Sequence, residues 1–161
     1  MADVIMLKIT DVPGTSQIDG YAEQIEVMSY SHGVSMQVTG DVSNTERTSG
    51  RPMHQDFHIT KYLDKASPVL NQKCCEGKNL GEVLLTIGRN DAGTVIPLII
   101  YTLGNVVVSS VSVGGGGGDK PVESVSLNYS SIKWDYGAQK EEGGAAGKVA
   151  GSWDVSANKT I

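Results

Sequence analysis

Two-residue alternation of apolar and polar positions recurs along this chain, while helical periodicity occurs in one short segment. Residues 4–9, VIMLKI, alternate loosely and predict an opening strand, ended by Pro13-Gly14, with Asp19-Gly20 as a further turn. Residues 25–38, IEVMSYSHGVSMQV, predict an extended run. In it Ile25, Val27 and Ser29 share one face and Glu26, Met28 and Tyr30 the other, with Gly33 marking a bulge or bend. A short strand is expected at 57–62, a hairpin from 80–87 and 94–103 with its turn at 89–93, and a strand at 106–113. Pro97 favours an edge position or a bulge. Residues 122–136 predict one long run, with Val125, Leu127, Tyr129 and Ser131 on one face and Ser124, Ser126, Asn128 and Ser130 opposite. A final strand is expected around 149–155.

The helical segment is DKASPVLNQKCCEG, residues 64–77. Ser67 is placed to cap it and Pro68 to occupy its first position. Ala66, Leu70 and Cys74 lie four apart, Val69 widens the stripe, Gly77 is the natural stop, and an extra turn from Asp64 is compatible with the pattern. Two stretches lack periodicity. Residues 39–53, TGDVSNTERTSGRPM, predict a long exposed loop, an arm that becomes ordered against a partner. Residues 137–147 predict a second, flexible loop. Eight or so strands joined mostly by local hairpins, with one helix, predict a mainly β fold. The expected architecture is a closed or nearly closed antiparallel β-barrel with one short flanking α-helix, in a single domain spanning 1–161.

Charge narrows the function. With 18 acidic against 13 basic residues and a formal charge of -5, the chain lacks the clustered Lys and Arg of a phosphate-backbone reader, so no nucleic acid partner is expected. Apolar runs are interrupted well before 18 residues, so no membrane insertion is expected either. The opening MADVIMLKITD has no basic leader before a long apolar segment, which predicts synthesis in the cytoplasm and no signal peptide. Cys74 and Cys75, the only cysteines, are adjacent; a disulfide between neighbours is strained, so free thiols are expected at the helix end, one facing the core.

Candidate chemistry is sparse. His54, Asp56 and His58 stand at spacing two in an extended segment and so point one way, a weak candidate for a divalent metal, although the alternation with Phe57 and Ile59 equally describes the wet face of a half-buried strand. No serine lies in a Gly-x-Ser-x-Gly elbow, and Glu141-Glu142 falls in a predicted loop. The rim loop Gly114, Gly115, Gly116, Gly117, Gly118, Asp119 lacks the Gly-Lys-Ser/Thr ending and following helix of a phosphate cradle. The aromatics are dispersed along the chain and lack an interleaved basic patch. No catalysis and no cofactor are expected.

Several segments carry a resemblance: LKITDVPG at 7–14, the extended stretch around 29–33, DFHITKYLDKASPVL at 56–70, CEGK at 75–78, LGNVVVSSVSVGGGGGDKPVESVSLNYSSIKWDY at 103–136 and GSWDVSANK at 151–159. In order and spacing they resemble the haemolysin-coregulated protein family, the tube protein of the bacterial type VI secretion system. That resemblance implies a homohexamer whose rings stack into a tube inside a contractile sheath. It also implies a spike protein at the tube tip, small effector proteins carried or stabilised in the lumen, and secretion without a leader. Ser31 matches a channel-facing position implicated in cargo contact, beside His32, where the family often carries Trp. Asn44, Thr45, Glu46, Arg47, Thr48, Ser49 and Gly50 resemble the part of an extended loop that meets a neighbouring subunit or ring. Some members carry a toxin domain after the tube domain; these 161 residues leave no room for one. Two other classes compete: a monomeric β-barrel protein- or carbohydrate-binding module, which needs a concave aromatic patch, and a small hydrolase, which needs His32, His54 or His58 to converge with Ser and Asp.

Overall fold

β1 (Val4–Ile9), β2 (Ile25–Glu26), β3 (Ser29–Ser31), β4 (Val34–Ser35), β5 (Met53–His54) and β6 (Phe57–Tyr62) precede helix α1 (Ser67–Glu76). β7 (Val83–Asp91), β8 (Thr94–Gly104), β9 (Val107–Gly114), β10 (Val122–Asn128), β11 (Ser131–Gln139) and β12 (Ala145–Asp154) follow it. This computed structural model describes residues 4–38, 40, 47–48, 50–139 and 145–161. The strands form a six-stranded sheet in the order β12-β11-β8-β7-β1-β2, a four-stranded sheet in the order β3-β6-β10-β9, and a two-stranded ribbon, β4-β5. Every pairing is antiparallel.

The expected mainly β fold with one short helix is present, but among the described residues no sheet closes on itself. The physical reason is that the chain changes sheets at corners. Val27 N–H donates to Ile5 of the larger sheet at 3.0 Å, and the next amide, Met28, donates to Thr60 of the smaller one at 2.7 Å. The expected run 25–38 is therefore three short strands in three sheets. The expected run 122–136 likewise breaks at 129–130 into β10 and β11, and Ser130 N–H closes that corner on Gly104 at 3.0 Å. One core fills the space between the sheets, with Leu7, Leu85 and Leu103 meeting Phe57, Ile59, Val125 and Leu127.

Turn chemistry explains the other boundaries. Ala92 and Gly93 both have positive φ (49° and 85°), the signature of a two-residue I′ hairpin turn, so β7 runs on to Asp91 and the turn is shorter than 89–93. Pro97 lies at a bulge: Ile87 pairs with Ile99 but Gly88 pairs with Pro97. Of the predicted loop 137–147, residues 140–144 lie outside the described residues and the rest is ladder, with Gly137 paired to Lys148 and Gln139 to Ala145, because main-chain pairing needs no large side chains. Residues 39–53 also gain structure at their base. Val34 pairs with His54, Ser35 with Met53, and Val38 bridges to Thr48.

Helix α1 ends as expected: Gly77 adopts φ 62°, its N–H bonds Cys74 O, and Lys78 N–H bonds Lys73 O. Its start differs from expectation. Ala66 is the N-cap and its methyl group offers no cap, while the Ser67 hydroxyl, one residue into the helix, is engaged with Lys61, Glu123 and the Asp64 N–H. The extra turn from Asp64 is present, with Ser67 N–H on Asp64 O at 3.1 Å. Cys74 and Cys75 are free, Cys74 packed against the core and Cys75 exposed. Among the described residues no helix is long and apolar enough to cross a membrane.

Candidate functional site

The four-stranded sheet places hydroxyl groups in rows. Ser29, Thr60, Ser124 and Ser112 are register partners, and so, two residues along, are Ser31, His58, Ser126 and Ser110. Residues directly opposite one another share a face, and so do residues two apart, so all eight project from one side. A β9 bulge inserts Ser109 here; its hydroxyl donates to Asp56 Oδ2 at 2.7 Å and sits within reach of the Ser126 hydroxyl and carbonyl. Asn128 Nδ2 donates to the other Asp56 oxygen at 2.9 Å. The face is polar and, within these two rows, His58 is the sole titratable group. Along these rows it offers hydroxyls and one imidazole, with the Asp56 carboxylate beside them held by Ser109 and Asn128.

Ser31 belongs to this face; His32, its neighbour, belongs to the opposite one. His32 stacks on Phe57 (centroids 5.3 Å, 18° between planes) and meets Tyr101, Tyr129 and Trp134 at 6.3, 5.7 and 6.4 Å. Tyr30 stacks on Phe57 at 6.1 Å. His54 enters from the ribbon, its Nδ1 2.9 Å from the Tyr129 hydroxyl, which lies 3.3 Å from His32 Nδ1. Burial, then the charge of His54, lowers the His32 pKa, while a hydrogen bond to the Gln55 backbone works the other way. Burial also lowers His54. The Tyr129 phenol is held well above its usual range by burial and then by the Asp56 carboxylate, so it stays a neutral donor. The aromatics dispersed in sequence thus form a nest, but its rings fill one another's space and offer no open stacking platform.

The remaining candidates are placed as follows. His54, Asp56 and His58 do not converge: the chain leaves β5 at Gln55 and Asp56, which breaks the alternation, and the three turn to Tyr129, to Ser109 and Asn128, and to the hydroxyl face. Among the described residues no group of three His, Cys, Asp or Glu could hold a metal ion. Gly114 closes the β9–β10 ladder against Val122, the other four rim glycines and Asp119 are exposed, and β10 follows rather than a helix. Lys120 Nζ lies 5.7 Å over the Tyr62 ring on the returning side. Arg47, Thr48 and Gly50 are described, whereas Asn44, Thr45, Glu46 and Ser49 lie outside the described residues. The ribbon leaves Val34, Met36, Val38 and Met53 exposed.

A third constellation is absent from the sequence reading. Lys61 is fully buried, and its Nζ meets Asp64 Oδ1 at 2.9 Å, Glu123 Oε2 at 2.9 Å, Ser67 Oγ at 3.0 Å and Tyr62 O at 3.2 Å. Ser67 Oγ donates to Glu123 Oε2 at 2.9 Å and accepts from Asp64 N–H at 3.1 Å. KYLDKASP therefore meets VESVSLNY in one buried network that seats the helix on β6 and β10. The spacing carried a signal: Lys61 stands two and four residues from Ile59 and Phe57, and Glu123 two from Val125, all on the core face. The motif LKITDVPG has its own constraint, since a Cβ on Gly14 would lie 2.3 Å from the Gln24 carbonyl oxygen.

Comparison with known proteins places the chain in a family. A family model described as "Type VI secretion system effector, Hcp" matches residues 6–136. The chain belongs to the Hcp family. It is 36% identical over 160 residues to Protein hcp1 of Pseudomonas aeruginosa, covering 98% of each chain. A solved structure of a type six secretion system protein has a TM-score of 0.92 at 29% identity, over 99% of this chain and 100% of that one. Hcp1 from Salmonella typhimurium has a TM-score of 0.82 at 26% identity over the full length of both. Hcp proteins are non-catalytic structural proteins. The imidazoles and carboxylates described above accordingly act as packing and hydrogen-bonding groups, and among the described residues the hydrolase class lacks its convergence of His with Ser and Asp.

Proposed function

We propose that the chain is the tube subunit of a bacterial type VI secretion system. Six copies close a ring, and rings stack into the inner tube within a contractile sheath, tipped by a spike protein. Small effector proteins travel in the lumen, and the assembly is made in the cytoplasm and expelled through the type VI system. Family membership carries this reading. The geometry supports it. Both larger sheets end in strands with an unpaired side, β12 and β2 in one and β3 and β9 in the other, where a neighbour's backbone can continue the ladder. A heterologous contact of that kind, repeated through a rotation that closes, makes a ring, and the barrel left open in one protomer is completed between protomers.

The hydroxyl face, with Ser31 on it, is the wall we assign to the lumen. Uncharged hydroxyls exchange hydrogen bonds between cargo and water at little net cost, so cargo is held without being trapped. Native mass measurement with negative-stain imaging tests the proposal: a six-membered ring is expected, and a strictly monomeric mass would favour the binding module instead. Deleting residues 44–50 is expected to leave the circular dichroism and the ring unchanged while weakening stacking. Tubes of normal length from that variant would remove the arm from the stacking contact.

A further inference from the structure

The ribbon β4–β5 is a sheet by itself, and an isolated two-stranded ribbon is marginal in water. What fixes its root is local: Gln55 N–H on Gly33 O at 2.9 Å, His32 stacked on Phe57, and His54 bonded to Tyr129. The two imidazoles flank the ribbon, one just before β4 and one in β5, with ring centroids 6.4 Å apart. Between them stands a single phenol, which has one hydrogen to donate and lone pairs to accept. With His54 neutral it can donate to His54 Nδ1 at 2.9 Å, while it lies over the face of His32, 3.3 and 3.4 Å from the two ring nitrogens. With both rings charged each presents only N–H donors, the phenol hydrogen loses its acceptor, and two like charges face each other in a partly buried nest.

We propose that His32, His54 and Tyr129 form an acid-released latch: neutral, it holds the β4–β5 ribbon against the body of the protein, and doubly protonated, it lets the ribbon go. The titratable groups facing the pair from the surrounding elements are Tyr101 on β8 and Tyr129 after β10, both phenols pushed above their usual range by burial. Asp56, the nearest carboxylate to Tyr129, is tied to Ser109 and Asn128 and does not pair with either ring. The sign follows from the depressed pKa of both histidines. The unfolded or released rings bind protons first, so the latch is whole above about pH 6.5 and weakens as pH falls through and below that value. Because the ribbon also presents Val34, Met36 and Val38, release alters the surface offered to a neighbouring copy; that consequence rests on the tube-subunit reading, whereas the latch itself does not.

Amide hydrogen exchange at pH 7.5 and 5.0, corrected for intrinsic rates, tests it. Residues 34–38 and 50–55 are expected to lose protection by about tenfold or more at pH 5.0, the bias set by like charges at this separation. β1 and β7 should keep theirs. A double variant, His32→Phe with His54→Gln, is expected to hold the ribbon equally at both pH values; the single variant His54→Gln, which retains a partner for Tyr129, serves if the double one is poorly folded. Equal protection of the wild type at both pH values, equal loss in the variants, or loss spread over β1 and β7 would each overturn the latch. Native mass recorded on the same samples separates the two ideas, since ribbon release without a change in assembly keeps the latch and discards the ribbon as a subunit contact.

Discussion

Lys61→Met is expected to lower the folding free energy by about 3–5 kcal/mol, read by urea denaturation at fixed protein concentration. The substitution keeps the length of the side chain and removes its charge, leaving the Glu123 carboxylate, only 1% exposed, with the Ser67 hydroxyl as its remaining partner. Asp64 suffers less, because it is 11% exposed and still accepts from Ala66 N–H at 3.0 Å. The asymmetry yields a sharper expectation. Lys61→Met combined with Glu123→Met should recover at least half of the loss, since replacing a whole buried pair by apolar groups is often neutral while orphaning one member is not. Lys61→Arg should not rescue, because a planar fork cannot meet four acceptors arranged around a compact ammonium. A loss under 1 kcal/mol for Lys61→Met, or a double variant worse than the single one, would sink the claim that this network seats the helix.

The same network shows where sequence reasoning stopped. Alternation, turn residues and helix punctuation are local signals, and they located β1, β6, the helix stop at Gly77 and the Pro97 bulge. Lys61 and Glu123 were hidden because a charged residue is ordinarily placed on the wet face, although their parity with Phe57, Ile59 and Val125 put them on the dry one. Sheet changes were hidden for a different reason: the pleat continues through 25–31 and 122–136 while the hydrogen-bonding partner changes, and alternation reports only the pleat. The nest was out of reach because its rings come from β3, β5, β6, β8 and β11 and the segments after β3 and β10, which only the corners bring together. Family resemblance supplied the expectation of a tube; packing supplied the reason that KYLDKASP and VESVSLNY meet in one buried network.

Met36→Asp with Val38→Asp is expected to leave urea stability within about 0.5 kcal/mol and to weaken self-association by more than about a hundredfold. Both side chains are exposed in the protomer, at 42% and 51%, so neither contributes much to its folding. With Val34 they recur at every second position along one side of the ribbon, whose base is paired to His54 and Met53. A stripe of this kind on a projecting ribbon is what a neighbour would cover, and fully burying one such side chain is worth about 1.5–3 kcal/mol. Two aspartates remove that gain and bring charges that must be dehydrated on contact. In the proposed ring every protomer would make the same contact, so the loss would repeat from copy to copy and is expected to appear as an abrupt failure of tubes rather than a gradual shortening. Sedimentation at matched concentrations, with imaging of the same samples, reads the outcome. If the doubly substituted chain sediments and stacks like the wild type, the ribbon is not a contact between copies, and assembly must rest on the open strands of the two larger sheets alone.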